Sequence, residues 1–130
     1  IKTHEKSIIT MNFTKLVPSV FYTDLEDGLK LFVECLQFTI VHKDLNTAQP
    51  YCVLNKDGIS LMVFQDEKLA KEHHPELRLV TENIEEVFNK IANSHPHLLH
   101  PNLNKVTLRP GGAQEFAIRD TQLGIRFQQW

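Results

Sequence analysis

The sequence contains few of the residues that mark several common classes of protein. Only two of its 130 residues are cysteines, Cys35 and Cys52, so no disulfide framework is available. Both have apolar neighbours, which predicts buried, reduced thiols and a cytoplasmic location. No apolar run approaches the ~18 residues of a membrane-spanning helix, and the formal net charge of −2 offers neither a basic surface for nucleic acid nor an acidic tail. We therefore expect neither a membrane nor a nucleic acid as a partner.

Recognisable catalytic motifs are also scarce. The segment 109–112 (Arg-Pro-Gly-Gly) lacks the Lys-Ser/Thr pair and the following helix of a phosphate-binding loop. Cys35 could act as a nucleophile with a distant histidine, but it lies beside the apolar face of a predicted helix, which favours a place in the core. Glu115 could bind a ligand together with Arg119 and Asp120. Because Glu115 and Arg119 share one face of a predicted strand, a cross-strand or same-face ion pair is favoured over a ligand site. The sequence thus predicts no catalytic residue.

The first ten residues are set apart from the rest. They are mostly polar or charged, with Ile8 and Ile9 as an apolar pair, and they lack the ~7–15-residue apolar segment of a secretory signal. We expect an extension over residues 1–10 and a single domain over residues 11–130. A domain of that length buries about two thirds of its extended surface on folding, so it needs no metal or disulfide for stability.

The first half of the chain has an order of predicted strands and helix that is repeated in the second half. Residues 17–23 read as a strand, Asp24 resembles a helix N-cap, and Leu25, Leu29, Phe32 and Leu36 recur at helical spacing. Three strands follow, with Asp57-Gly58 as a hairpin turn before the last of them. The predicted strands of this half are 17–23, 38–43, 51–55 and 59–64.

The second half repeats this arrangement. Asn83 follows Asp24 by 59 residues and resembles a second N-cap, with Ile84, Phe88 and Ile91 on the apolar face of a second helix. The predicted strands are 77–81, 104–108, 113–119 and 124–129. The sequence therefore predicts an α+β fold of two βαβββ modules, at about 13–66 and 75–130, joined by a charged linker over 65–75. Since each module is too small to bury a core alone, we expect one domain with a concave sheet that lines a cavity.

Paired βαβββ modules are the plan of the vicinal oxygen chelate superfamily, which includes glyoxalase I, extradiol dioxygenases and bleomycin-resistance proteins. Over residues 13–129 the sequence resembles this superfamily, and the bleomycin-resistance type most closely. The most specific segment is 110–120 (Pro-Gly-Gly-Ala-Gln-Glu-Phe-Ala-Ile-Arg-Asp) with Ile125-Arg126-Phe127, which resembles the family's Pro-Trp-Gly…Glu-Phe…Asp-Pro-Asp-Gly-Asn stretch and last strand. Two departures are Gly111 in place of the tryptophan and a less turn-like segment at 121–124.

The resemblance implies where a metal would bind. Metal-using members carry His or Glu on the first and last strand of each module, and a divalent ion needs three or four such ligands. The corresponding positions here hold Val17, Met62, Glu76 and Arg126, of which only Glu76 could ligate. We therefore predict no metal and no cofactor, and a protein that binds or sequesters a small molecule as bleomycin-resistance proteins do. The alternative is a metal-dependent glyoxalase- or dioxygenase-like enzyme with atypical ligands.

The seven histidines of the chain could supply the metal ligands of such an enzyme. His95, His97 and His100 cluster in one segment, and His73-His74 form a pair. A proline stiffens the backbone between His95 and His97, and no Asp, Glu or Cys lies between residues 94 and 105 to complete a site. These features favour solvated connecting segments over a metal centre.

Polar residues on the last strand are the candidates for ligand binding. Arg126 and Gln128 alternate with the apolar Ile125 and Phe127, so one face of the strand is polar. Two interpretations of Arg126 remain open: it faces a ligand cavity, or it only pairs with Glu76 and closes that cavity. The predicted ligand-binding residues for a small organic ligand are Arg126, Glu76, Met62, Gln128, Tyr51 and Trp130. The resemblance further implies a homodimer whose cleft is shared between subunits.

Overall fold

The structure is a computed structural model that describes residues 10–130, so the predicted extension lies almost wholly outside the described residues. The strands and helices follow one another in the predicted order. They are β1 (Ser19–Tyr22), α1 (Leu25–Leu29) continued by a π-helical segment (Lys30–Cys35), β2 (Thr39–Asp44), β3 (Tyr51–Lys56), β4 (Ile59–Gln65), α2 (Glu67–Glu72), β5 (Glu76–Val80), α3 (Ile84–Ser94), a 3₁₀ turn (Pro96–Leu98), β6 (Thr107–Leu108), β7 (Gln114–Arg119) and β8 (Gly124–Gln129).

The strands form two four-stranded mixed sheets with the same topology. In the first sheet the order is β1-β4-β3-β2, and in the second it is β5-β8-β7-β6. In both, the first strand of the module runs parallel to the last, and the other pairs are antiparallel. The predicted α+β fold of two βαβββ modules is confirmed.

One face of each sheet is packed against a helix. Val20 and Val63 are fully buried in the first sheet, which packs on α1. In the second sheet, the Phe116 ring stacks on Phe127 at a centroid distance of 4.7 Å and meets Phe88 of α3 edge-on at 5.2 Å. Buried residues of both halves belong to one hydrophobic cluster. The opposite faces of the two sheets are therefore available for a functional site.

Two glutamines that end the last strands perform the same task in both halves. The Gln65 side-chain oxygen accepts the backbone N–H of Leu25 at 2.9 Å, and the Gln129 oxygen accepts that of Ile84 at 2.9 Å. Each therefore satisfies an amide in the first turn of its module's helix, where no intrahelical acceptor exists. This equivalent hydrogen bond in both modules is further evidence for the internal repeat that the sequence indicated.

Two segments differ from the prediction. The linker over 65–75 contains a short helix, α2, because the Asp66 carboxylate caps it by accepting the Leu69 N–H at 2.9 Å and Ala70 is buried beneath it. The strand predicted over 104–108 is confined to Thr107–Leu108. Both cysteines are buried and unpaired, as expected. None of the helices in residues 10–130 has the length and apolar content to cross a membrane.

Candidate functional site

A network of charged side chains covers the second sheet on the face turned away from the core. Arg126 of β8 lies between two carboxylates: its Nε donates to Glu76 of β5, and one terminal nitrogen donates to Glu115 Oε2 of β7 at 2.6 Å. Gln128 donates to the other oxygen of Glu115 at 2.8 Å, and Arg109 Nε lies 3.7 Å from Oε2. The pairing of β7 with β8 explains this, since Glu115 lies opposite Gln128 in the ladder.

Glu115 is the buried member of this network, with 4% of its surface exposed. Burial opposes its negative charge, but hydrogen bonds from Gln128 and Arg126, and the charges of Arg126 and Arg109, outweigh that effect and lower the pKa of the carboxyl. The same carboxylates raise the pKa of Arg126, with Glu76 as the largest contributor. The charged forms of Glu115 and Arg126 are thus stabilised by each other, and the two carboxylates hold the Arg126 guanidinium in place.

A cavity of about 600 Å³ opens beside this network, and we call it the arginine cavity. Two small residues form part of its floor. Gly124 lies between Glu76 and Arg119 in the register of the sheet, and Ala117 lies opposite Arg126. Three segments between the strands, 74–75, 100–103 and 120–123, contribute to the wall. The charged side chains that line it are Glu76, Arg109, Arg119, Asp120 and Arg126.

The first sheet presents aromatic rings instead of charges on its corresponding face. Phe21 of β1 stacks on Phe64 of β4 at 5.6 Å between ring centroids, and Phe64 meets Tyr51 of β3 at 5.7 Å. His73 extends this row at one end, 5.9 Å from Phe21, and His42 of β2 extends it at the other, 5.8 Å from Tyr51. We call these five rings the aromatic row. Phe21, Phe64 and Tyr51 lie side by side at its centre because their strands align in register.

The structure divides the predicted ligand-binding residues between these two surfaces. Arg126 and Glu76 line the arginine cavity, and Gln128 supports it through Glu115. Tyr51 belongs to the aromatic row, and Met62 precedes Phe64 by two residues on β4 and shares its face. Neither Tyr51 nor Met62 lines the arginine cavity. Trp130 is 73% exposed and lies beside Gly111 rather than in the cavity.

Sequence reasoning missed several residues of the two surfaces. The prediction for Glu115 left open a cross-strand or a same-face ion pair; the structure has the cross-strand pair, with Arg126, and Gln128 donates to the other carboxylate oxygen. Phe21 and Phe64 were recognised only as strand residues. The signal that could have revealed them is strand register, since pairing β1 with β4 in parallel brings both rings together.

The residues at the positions where the resemblance implies metal ligands do not fit a metal ion. In the second module, Arg126 donates to Glu76, so a cation there would face a guanidinium and compete for the one available carboxylate. In the first module the position on β4 holds the thioether of Met62. Within residues 10–130, no three His, Cys, Asp or Glu side chains converge in a way that could hold a metal ion.

The histidines of the connecting segments make local contacts. His95 Nδ1 lies 2.7 Å from Ser94 Oγ, and His100 Nδ1 accepts the Asn102 N–H at 3.1 Å. The nitrogens of His74 lie 3.1 Å and 3.2 Å from two backbone carbonyl oxygens. These contacts fit their interpretation as parts of connecting segments.

Comparison with known proteins identifies the fold. No family model and no curated protein matches the sequence. Solved structures do match. A glyoxalase/bleomycin resistance protein/dioxygenase superfamily member from Sphaerobacter thermophilus is 14% identical with a TM-score of 0.68, covering 91% of this chain and 98% of its own.

Two further matches have names that state a ligand or a resistance. The bleomycin-binding protein of Streptomyces verticillus, solved with copper(II)-bleomycin, is 17% identical with a TM-score of 0.62, covering 91% of this chain and 97% of its own. The fosfomycin resistance protein FosX of Listeria monocytogenes is 10% identical with a TM-score of 0.65, covering 92% and 95%. The chain therefore has the fold of the glyoxalase/bleomycin resistance/dioxygenase superfamily, as its resemblance predicted.

Proposed function

We propose that this protein binds and sequesters a small organic molecule without a metal ion and without catalysing a reaction. The observation that carries the proposal is the arrangement around Arg126. At a position where the resemblance implies a metal ligand, Arg126 is held between Glu76 and the buried Glu115. A cavity of about 600 Å³ beside this network has the size of a small-molecule site.

The aromatic row supports an organic ligand with a planar ring. Phe21, Tyr51 and Phe64 are half-buried, so their faces and edges are partly open to a partner. Stacking on such rings contributes about 0.5–1.5 kcal/mol beyond the area buried. The bleomycin-binding neighbour makes bleomycin a reasonable first probe, although an arginine-lined cavity does not favour a cationic ligand.

A homodimer is part of the proposal, because the two surfaces lie on different sheets of one chain. A cleft shared between subunits would place the aromatic row of one against the arginine cavity of the other. Apolar side chains available for a subunit contact are those of Met11, Phe13 and Leu16, each at least 82% exposed. The two buried, unpaired thiols support our proposal that the protein works in the reducing cytoplasm.

Native mass spectrometry of protein purified without chelators tests metal content and assembly together. We expect a dimer at twice the chain mass of 15.0 kDa, with no additional mass from a metal ion. Stoichiometric zinc, nickel, manganese or iron would contradict sequestration without metal and favour a metalloenzyme. A single species at the mass of one chain would contradict the shared cleft but leave metal-free binding in place.

Removing one ring from the aromatic row is expected to weaken binding of planar compounds. For the tightest binder among bleomycin and a panel of planar aromatic compounds, Tyr51→Ala should raise Kd at least about tenfold, because both ring area and stacking are lost. Isothermal titration calorimetry on the wild type and the variant measures this effect. Leu108→Ala, which shortens an exposed apolar side chain on the other sheet, is the matched control and should leave Kd unchanged. Equal binding by Tyr51→Ala and the wild type would remove the aromatic row from the site.

A further inference from the structure

The hydrogen-bonding groups that remain unused in the arginine cavity are mainly donors. A guanidinium carries five N–H groups and no acceptor, and three guanidinium groups line this cavity. Arg126 uses Nε and Nη1 on the two glutamates, and its Nη2 donates to no acceptor in residues 10–130. Among the described residues, no carboxylate lies within 4.0 Å of a nitrogen of Arg119, and Arg109 makes one contact, at 3.7 Å.

The carboxylates nearby are already engaged by other groups. Asp120 accepts from the Tyr22 hydroxyl at 2.6 Å and from the backbone N–H groups of Gln122 and Leu123 at 2.8 Å and 3.0 Å. Glu115 accepts from Arg126 and Gln128 through both of its oxygens, and Glu76 accepts from Arg126 through Oε2. These acids therefore fix the shape of the cavity wall, while the arginines keep donors for a ligand.

The three arginines border one open cavity whose floor lacks a large side chain at two positions. Gly124 contributes no side chain between β5 and β7, and Ala117 contributes only a methyl group. The depression above them is bordered by Arg126 on β8 and by Arg119 at the end of β7. The planar guanidinium of Arg126 is held in place by two carboxylates. It is therefore well suited to bind an oxyanion, because its side chain loses little conformational entropy on binding.

We infer that the arginine cavity binds the oxyanion of the ligand, a carboxylate or a phosphoryl group, through Arg109, Arg119 and Arg126. The inference rests on the proposed function, since it names the chemical class of ligand for that site. Arg126 is held rigidly by the network, whereas Arg109 and Arg119 are free to adjust to the anion. A ligand with a planar ring and an acidic group would then engage both surfaces of the shared cleft.

Anion titrations test this assignment with simple probes. Sodium phosphate and sodium succinate replace sodium chloride at constant ionic strength, and binding is followed by calorimetry and by the shift in Tm. We expect at least one of the two to bind the wild type and raise its Tm, and Arg109→Gln/Arg119→Gln to weaken that binding at least about tenfold. The probe that binds distinguishes a carboxylate ligand from a phosphoryl ligand.

Arg78→Gln is the matched control, because Arg78 lies on the same face of β5 as Glu76 but does not line the cavity. It should bind the anion as the wild type does. The inference is overturned if neither anion binds the wild type, or if the double variant binds as tightly as the control. In either case a planar compound that still binds through Tyr51 would leave the proposed function standing, so the two failures are distinguishable.

Discussion

Replacing Arg126 with methionine is expected to destabilise the fold by about 2–4 kcal/mol near neutral pH. Methionine retains much of the side-chain volume but removes the cation, so the Glu115 carboxylate stays buried with Gln128 as its one remaining close donor. Removing one partner of a buried ion pair costs more folding free energy than the intact pair contributes, because the remaining charge stays buried without its partner. Urea denaturation of the wild type and the variant measures the difference in the free energy of unfolding.

The effect of Arg126→Met should depend on pH in a defined direction. In the wild type the pKa of Glu115 is lowered by folding, so the ionised carboxylate stabilises the native state above its unfolded pKa. That contribution is lost as the pH falls through the lower, folded pKa. In the variant the carboxylate has lost its nearest cation and keeps only the more distant Arg109, at 3.7 Å, so protonating Glu115 relieves the burial of a poorly compensated charge. The destabilisation caused by the substitution is therefore expected to be greatest near pH 7 and smaller at about pH 4.

Two further variants test whether the loss of stability in Arg126→Met arises from the network around Glu115. Arg78→Met removes an exposed arginine from the same face of the sheet and should cost less than about 0.5 kcal/mol, because its contact with Glu76 is long, at 3.9 Å. Arg126→Met/Glu115→Gln replaces the buried charge with an amide and should recover at least half of the lost stability. If Arg126→Met costs no more than Arg78→Met, the network does not contribute to stability in the way the structure indicates.

The partner of Glu115 shows why the candidate site was only partly predictable. The sequence predicts an ion pair for Glu115, either across strands or with Arg119 on the same face of β7, and it does not choose between the two. Four residues along a strand span about 13 Å, whereas a cross-strand neighbour lies about 5 Å away. Hence Glu115 pairs with β8, and the identity of that neighbour depends on register, which single-strand patterns do not contain. Arg126 and Glu76 were found because the family resemblance supplied the missing alignment between strands.

The fold was easier to predict than the site, because alternation and turn residues locate strands without reference to their partners. The exceptions have physical causes. α2 is six residues long and buries only Ala70, so it has no apolar period to detect. The first helix widens into a π-helical segment after Leu29, so Leu31 and Cys35 are buried alongside Phe32. A strict 3.6-residue period therefore found Leu25, Phe32 and Leu36 but missed Leu31.

Gly28 is the position where sequence and structure predict opposite effects of one substitution. From helix propensity alone, Gly28→Ala should stabilise the protein by about 1 kcal/mol. In the structure, a Cβ on Gly28 would lie 2.7 Å from Val63 Cγ1 and 2.8 Å from Tyr22 Cδ1. Neither neighbour can move easily, since both are almost fully buried and Tyr22 is tied to Asp120 by a hydrogen bond of 2.6 Å. We expect Gly28→Ala to destabilise the protein by about 1–3 kcal/mol, as overpacking does in other cores.

A double-mutant cycle separates this steric cost from any effect on the helix itself. Val63→Ala removes the nearest clashing atom, so Gly28→Ala should cost at least about 1 kcal/mol less in that background than in the wild type. Glu26→Ala, an exposed position in the same helix, is the control for helix propensity and should change stability by less than about 0.5 kcal/mol. Thermal denaturation of the four variants provides the comparison. A stabilised Gly28→Ala protein would mean that the contact between α1 and the first sheet is looser than its geometry indicates, because only a sheet that yields to the added methyl group would let helix propensity decide the outcome.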